Sequence, residues 1–168
     1  LANIATAMSG KVAVNLNFTA GPQSMAYAVE KAGIRTILTS RRFLTKAEIS
    51  EMPGMVMLED VITGFTSLAK LRALVVAKSL PTWLLVRIYG RRSRADQTAS
   101  IIFSSGSTGT PKGVQLTHRN LLSNVHSIAQ VFDMRPHDVM IGVLPFFHAF
   151  GYTGTLWFPL LTGFGAAY

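Results

Sequence analysis

The 168-residue chain contains no cysteine. Disulfides and thiolate metal sites are therefore excluded, and cysteine usage says nothing about redox compartment. Acidic side chains are scarce, eight against sixteen Lys and Arg, which leaves a net charge of +8. No apolar run approaches the roughly 18 residues that a membrane span needs. The first residues lack the charged-then-apolar pattern of a secretory signal. There is no internal repeat and no low-complexity tract. What is present is one domain's worth of material, 49% hydrophobic, enough to bury a sizeable core. The chain opens at Leu1 and stops in "LLTGFGAAY", where an apolar segment is starting. We expect it to be a piece of something longer.

The positive charge belongs to one segment. Seven basic residues (Lys70, Arg72, Lys78, Arg87, Arg91, Arg92 and Arg94) and no acidic ones lie between positions 70 and 94, while the remainder is near neutral. A basic protein prompts a nucleic-acid hypothesis, but the single Trp and single Tyr of this segment make a poor stacking platform. Two other readings fit. The segment is a surface helix whose stems pack while its charges stay solvated, or an interfacial element with Trp83, Leu84, Leu85 and Ile88 beneath lipid headgroups. Pro81 interrupts any single long helix.

Elsewhere strands and helices alternate. "KVAVNLN" reads as a buried strand. Residues 23–32 carry Met25, Ala28, Val29 and Ala32 on one helical face, with Gly33 suited to the C-terminal cap. "RTILTS" is a second strand. A short helix is expected over 45–52, because Thr45 and Glu48 stand at capping-box spacing. "MVMLED" is a third strand. After the basic segment come "SIIF", a glycine-rich loop, "GVQL", and a helix from about 118 to 132 with Thr117 as N-cap. "DVMIGVL" is a further strand, Pro145 to Phe147 a turn, and 150–161 an apolar helix or loop. The alternation predicts an α/β fold of βαβ units with a mostly parallel sheet.

The glycine loop lies in "IIFSSGSTGTPKGVQLTHRN". The P-loop pattern G-x-x-x-x-G-K-[ST] fails at Pro111 and Gly113, and G-x-G-x-x-G fails at Thr108. The chemistry still favours a polyphosphate. Gly106, Gly109 and Gly113 let backbone N–H groups approach a ligand closely. Ser104, Ser105, Ser107, Thr108 and Thr110 offer hydroxyl donors, and Lys112 offers a compact positive charge. The competing reading is a mobile surface linker, which would need neither the proline nor the lysine.

"FSSGSTGTPKGV" resembles the signature loop of the acyl-adenylate-forming enzymes, the superfamily of acyl-CoA synthetases, luciferases and adenylation domains. "LPFFHAFG" (144–151) is similar to that family's proline, aromatic and histidine stretch, and "THRN" also matches. "VNLNFTAG", "GIRTILTSRRFL" and "TLWFPLLTG" are similar to one subgroup, the bacterial 2-acylglycerophosphoethanolamine acyltransferase / acyl-[acyl-carrier-protein] synthetases. The resemblance implies a partial N-terminal AMP-binding domain over 1–168, with a βαβαβ part (1–60), a basic connecting segment (61–97), and the phosphate loop and aromatic-histidine motif (98–168). It implies that a fatty carboxylate attacks the α-phosphate of ATP, and that the acyl group passes to acyl carrier protein or CoA, and on to a lysophospholipid.

By the same resemblance Ser104, Ser105, Gly106, Ser107, Thr108, Gly109, Thr110, Lys112 and Gly113 cradle the phosphates. Mg²⁺ shares their load. His148 lines the place where carboxylate meets α-phosphate, and its aromatic neighbours help wall the acyl pocket. On burial tendencies alone, a histidine among aromatics is more often a packed core residue. Its task is not that of a general base, since a carboxylate is already ionised at neutral pH. His118, His126 and His137 read as helix or turn residues. The expected setting is cytoplasmic, with a peripheral position on the inner face of the cell membrane if the 70–94 segment meets lipid. The adenine, ribose and C-terminal lysine motifs are not in the sequence, so the chain by itself is expected to be inactive. The rival from another class is a non-catalytic ATP- or anion-binding module that reuses the loop, and the rival within the class is another acyl-CoA ligase of the same superfamily.

Overall fold

Gly21 and Pro22 open a helix whose closure is equally local. A computed structural model of the chain describes residues 1–104 and 111–168. In it α2 (Pro22–Lys31) has Pro at its first turn, as a residue without an N–H should. Gly33 takes φ +61°. Its N–H donates to Glu30 O at 3.0 Å, and that of Ile34 to Val29 O at 2.9 Å. This paired closure satisfies carbonyls that the helix leaves open. Met25 and Ala28 are its buried residues.

The chain divides into two compact units, residues 1–11 with 18–92, and residues 12–17 with 93–168. The first unit contains α1 (Ala2–Met8), a 3₁₀ turn (Phe18–Ala20), α2, β2 (Ile37–Thr39), α3 (Arg41–Lys46), β3 (Met55–Met57), α4 (Leu58–Gly64), α5 (Ser67–Ser79) and α6 (Thr82–Tyr89). β2 and β3 pair in parallel, Ile37 opposite Met55 and Thr39 opposite Met57, with α3 between them in sequence. This is the expected βαβ unit.

The helix expected over 45–52 lies earlier. Ser40 caps α3, its side chain accepting from Phe43 N at 3.1 Å. Thr45 is inside the helix and donates to Arg41 O at 3.0 Å. Glu48 adopts φ +53°, while Ile49 N–H donates back to Leu44 O at 3.0 Å. The Thr45–Glu48 pair therefore marks where this helix ends, not where one begins. Ser40 wins because its hydroxyl reaches a free first-turn N–H one turn earlier.

The second unit holds β1 (Ala13–Val14), β4 (Thr98–Ser104), β5 (Lys112–Thr117), α7 (His118–Val131), β6 (Val139–Ile141), a π-helical turn (Gly151–Trp157), α8 (Phe158–Thr162) and β7 (Gly165–Ala167). Its three-stranded sheet has the order β1-β4-β5. β1 runs parallel to β4 and β5 antiparallel to it. β6 and β7 pair in parallel. The central strand β4 buries Ala99, Ser100, Ile102 and Phe103, a run of adjacent residues expected of a strand covered on both faces. Ala99, Ile102, Leu121, Tyr152 and Leu156 form one core cluster, and Val125, Phe158 and Phe164 a second. α7 starts as expected: Thr117 Oγ1 accepts from Asn120 N at 3.1 Å, and Asn120 Oδ1 accepts from Thr117 N at 2.9 Å. That reciprocal pair satisfies two end groups at once.

Candidate active site

β-branched and aromatic residues extend β4 to Ser104, and the chain returns along β5 from Lys112. The last cross-strand pairs are Phe103 opposite Gly113 and Ser104 opposite Lys112. Ser104 Oγ lies 3.5 Å from Lys112 O, and both residues are exposed. The two ends of the glycine loop are therefore held together by one cross-strand pair. Ser105, Gly106, Ser107, Thr108, Gly109 and Thr110 lie outside the described residues. Gly113 has a packing reason of its own. A Cβ placed there would stand 3.2 Å from the Phe103 ring and 3.3 Å from Ile101 Cγ2.

His148 follows a tight turn, its N–H donating to Pro145 O at 3.0 Å. Its own carbonyl accepts from Tyr152 N at 2.9 Å, which fastens the turn to the π-helical segment. The imidazole is exposed, against the buried Phe147 ring at a centroid distance of 4.6 Å. The three neighbouring phenylalanines have separate environments. Phe146 packs toward the first core cluster and meets Tyr168 edge-on at 5.4 Å. Phe150 is exposed. Of the three, Phe147 supplies the histidine's ring contact. The packed-core alternative for His148 does not hold in this structure, because the ring is on the surface.

Two residues of this region carry more than the sequence reading gave them. Gly151, the glycine that closes "LPFFHAFG", is buried, and a Cβ there would stand 2.8 Å from Leu144 O and closer still to Pro145 O. Only glycine lets the backbone pass this near the histidine turn. The signal was in the motif, three places after His148. Tyr152 is 1% exposed, with Trp157 edge-on at 5.9 Å, and burial pushes its hydroxyl above the ordinary value. The π-helical turn that holds both residues is a rare local form, frequent at functional sites.

Among the described residues no group of three His, Cys, Asp or Glu is placed to hold a metal. His118 begins α7, and His137 Nε2 stands 3.8 Å from Asp138 Oδ1. Among the described residues no helix is long and apolar enough to cross a membrane.

The AMP-binding enzyme family matches residues 1–168, the whole chain. Among curated proteins the chain is 31% identical over 165 residues to long chain acyl-CoA synthetase 6, peroxisomal, of Arabidopsis thaliana, covering 91% of this chain and 23% of that protein. Over 56 residues it is 43% identical to the chloroplastic long-chain-fatty-acid–[acyl-carrier-protein] ligase AEE15 of the same plant, covering 33% of this chain and 8% of that one. The fold is that of o-succinylbenzoate coenzyme A synthetase from Bacillus subtilis in complex with ATP and magnesium ion: TM-score 0.71, 21% identity, 98% of this chain and 39% of that one. The chain thus spans less than a quarter of these curated relatives. With the family match running from the first residue to the last, through both the clamped loop and the histidine turn, the chain belongs to the AMP-binding enzyme family.

Proposed function

We propose that this chain is the triphosphate-gripping part of an enzyme that activates a fatty acid as its acyl-adenylate. The observation that carries the reading is the Ser104–Lys112 clamp, which presents the glycine loop between two strands with an exposed lysine at its exit. Loop N–H groups and the hydroxyls of Ser104, Ser105, Ser107, Thr108 and Thr110 would take the β- and γ-phosphate oxygens, with Gly106, Gly109 and Gly113 permitting the close approach. Lys112 would stabilise the charge that grows on departing pyrophosphate, where a preorganised cation matters most. The carboxylate oxygen attacks the α-phosphorus, and the bond to the pyrophosphate oxygen breaks. His148, exposed on its turn, would border the meeting point of carboxylate and α-phosphate, with Phe147 fixing the plane of its ring.

Mg²⁺, when bound, would neutralise phosphate charge. The described residues offer it no cage of their own, so it would enter with the nucleotide, as Mg²⁺ commonly does. For the second half-reaction we propose a thiol acceptor, either the phosphopantetheine of acyl carrier protein or CoA, and from there a lysophospholipid. The long-chain substrate is supported by the plant acyl-CoA synthetase, and the carrier-protein acceptor by AEE15. The setting we propose is the cytoplasm. The test is fatty-acid-dependent pyrophosphate–ATP exchange by the full-length protein, with Lys112→Ala beside wild type. Loss of exchange with fatty-acid binding retained is the expected result. Near-wild-type exchange would overturn the phosphate assignment, and nucleotide binding without any exchange in wild type would favour the non-catalytic binding module.

A further inference from the structure

The basic segment resolves into two helices that lie outside the proposed phosphate loop and histidine turn. α5 and α6 are separated at Leu80 and Pro81. No residue of either helix is buried. Leu68, Leu71, Leu74 and Val75 of α5 are each more than half exposed. At 3.6 residues per turn they fall within an arc of roughly 120°, edged by Lys70 and Arg72, with Ser67 and Lys78 inside it at the two ends of the helix. On α6, Trp83, Val86, Ile88 and Tyr89 are likewise more than half exposed.

The end of α6 adds a built feature. Trp83, Val86, Arg87, Gly90, Arg91 and Arg92 line an open concavity of about 770 Å³. A Cβ on Gly90 would stand 2.6 Å from Val86 O, so glycine lets the chain turn away closely enough to bring the next two arginines beside Arg87. The N–H of Arg91 donates to Met8 O at 2.8 Å, which ties this backbone down. No acidic residue occurs between Asp60 and Asp96. Arg94 is different from its neighbours, because it pairs with Asp96 at 2.9 Å. Arg87, Arg91 and Arg92 take part in none of the ion pairs among the described residues.

We infer that α5 and α6 form an interfacial membrane anchor, lying on an anionic bilayer with Arg87, Arg91 and Arg92 around Trp83 receiving a lipid phosphate headgroup. The occupant follows from complementarity. Three arginines in a concavity attract an anion, and the exposed Trp83, Val86 and Ile88 of the same helix demand hydrocarbon. Trp83 lines the concavity with the arginines and Tyr89 ends the helix next to them, an arrangement suited to aromatic rings at headgroup depth. A soluble acidic protein would meet the charge but leave the exposed apolar side chains of α5 and α6 without a partner. The helices are too short to span, so they lie on the surface.

The experiment uses the full-length protein and vesicles of phosphatidylcholine with or without phosphatidylglycerol. Wild type is expected to sediment with the anionic vesicles, less so at high salt. R87Q/R91Q/R92Q should lower partitioning roughly 100-fold, from the usual worth of a basic residue near an anionic surface. It should keep wild-type melting behaviour and pyrophosphate–ATP exchange on soluble fatty acid. Brominated lipid should quench wild-type fluorescence more than that of Trp83→Phe. Equal sedimentation of the triple variant and wild type would overturn the inference. So would wild type that ignores vesicles with Trp83 unquenched, since the patch would then be covered by the protein's own chain. Loss of carrier-protein affinity in the triple variant with vesicle binding intact would assign the patch to an acidic protein, and glycerophosphate binding without vesicle binding would assign it to a soluble anion. Either result would overturn the membrane reading.

Discussion

Ser100 Oγ donates a 2.7 Å hydrogen bond to Ala13 O, joining positions 87 apart in sequence. Ser100 is fully buried at the centre of β4, and Ala13 is also its ladder partner on β1. The short strand β1 is held to β4 by both backbone and side chain. Ser100→Ala should cost about 1 kcal/mol, the usual net worth of such a bond. Chemical denaturation of the full-length protein would read it as a lowered midpoint with unchanged slope.

Gly151→Ala should be far more damaging to activity than its single methyl implies. The added Cβ meets the backbone carbonyls of Leu144 and Pro145, which cannot rotate aside as a side chain would. The turn before His148 must shift, and a displacement of about 1 Å can cost ~10²-fold in rate. Pyrophosphate–ATP exchange is the measurement. Unchanged exchange in a folded variant would show that the position of this turn is irrelevant to the reaction.

Glu48→Gly should stabilise. Glu48 sits at φ +53° after α3, where a side chain costs roughly 1–2 kcal/mol, partly offset by the greater freedom glycine loses on folding. A net gain of about 0.5–1 kcal/mol in thermal or chemical unfolding is the expected outcome. A loss of stability would mean that the Glu48 side chain contributes more than the strain it carries.

Tyr152 links pH to stability. Burial raises its folded-state pKa above the ordinary value of 10.0. The unfolded chain therefore releases this proton first as pH rises. The tyrosine's contribution is fully present below about pH 10 and is lost as pH climbs toward the folded value. Tyr152→Phe should flatten that alkaline decline in unfolding free energy. The same alkaline slope in the variant would assign the decline to other groups.

The sequence announced its elements best where the signals were local. Gly33 and Thr117 named the end of α2 and the start of α7, because caps are decided by the few atoms around them. Thr45 and Glu48 misled for the same reason. Their spacing is that of a capping box, but Ser40 had already opened the helix, and no local rule ranks two competing starts. Antiparallel pairing of β4 with β5 was not reached by the alternation argument, although the seven residues that join them are too few for a parallel crossover. β7 was too short and glycine-rich to read. In the site, residue types pointed to phosphate chemistry, while the crowding at Gly151 and Gly113 emerged only with the atoms around them.

The Ser104–Lys112 pair also has an evolutionary consequence. Because one cross-strand pair fixes both ends, the seven residues between them can be exchanged as a cassette without disturbing the sheet. Selection can then vary the loop separately from the fold that carries it.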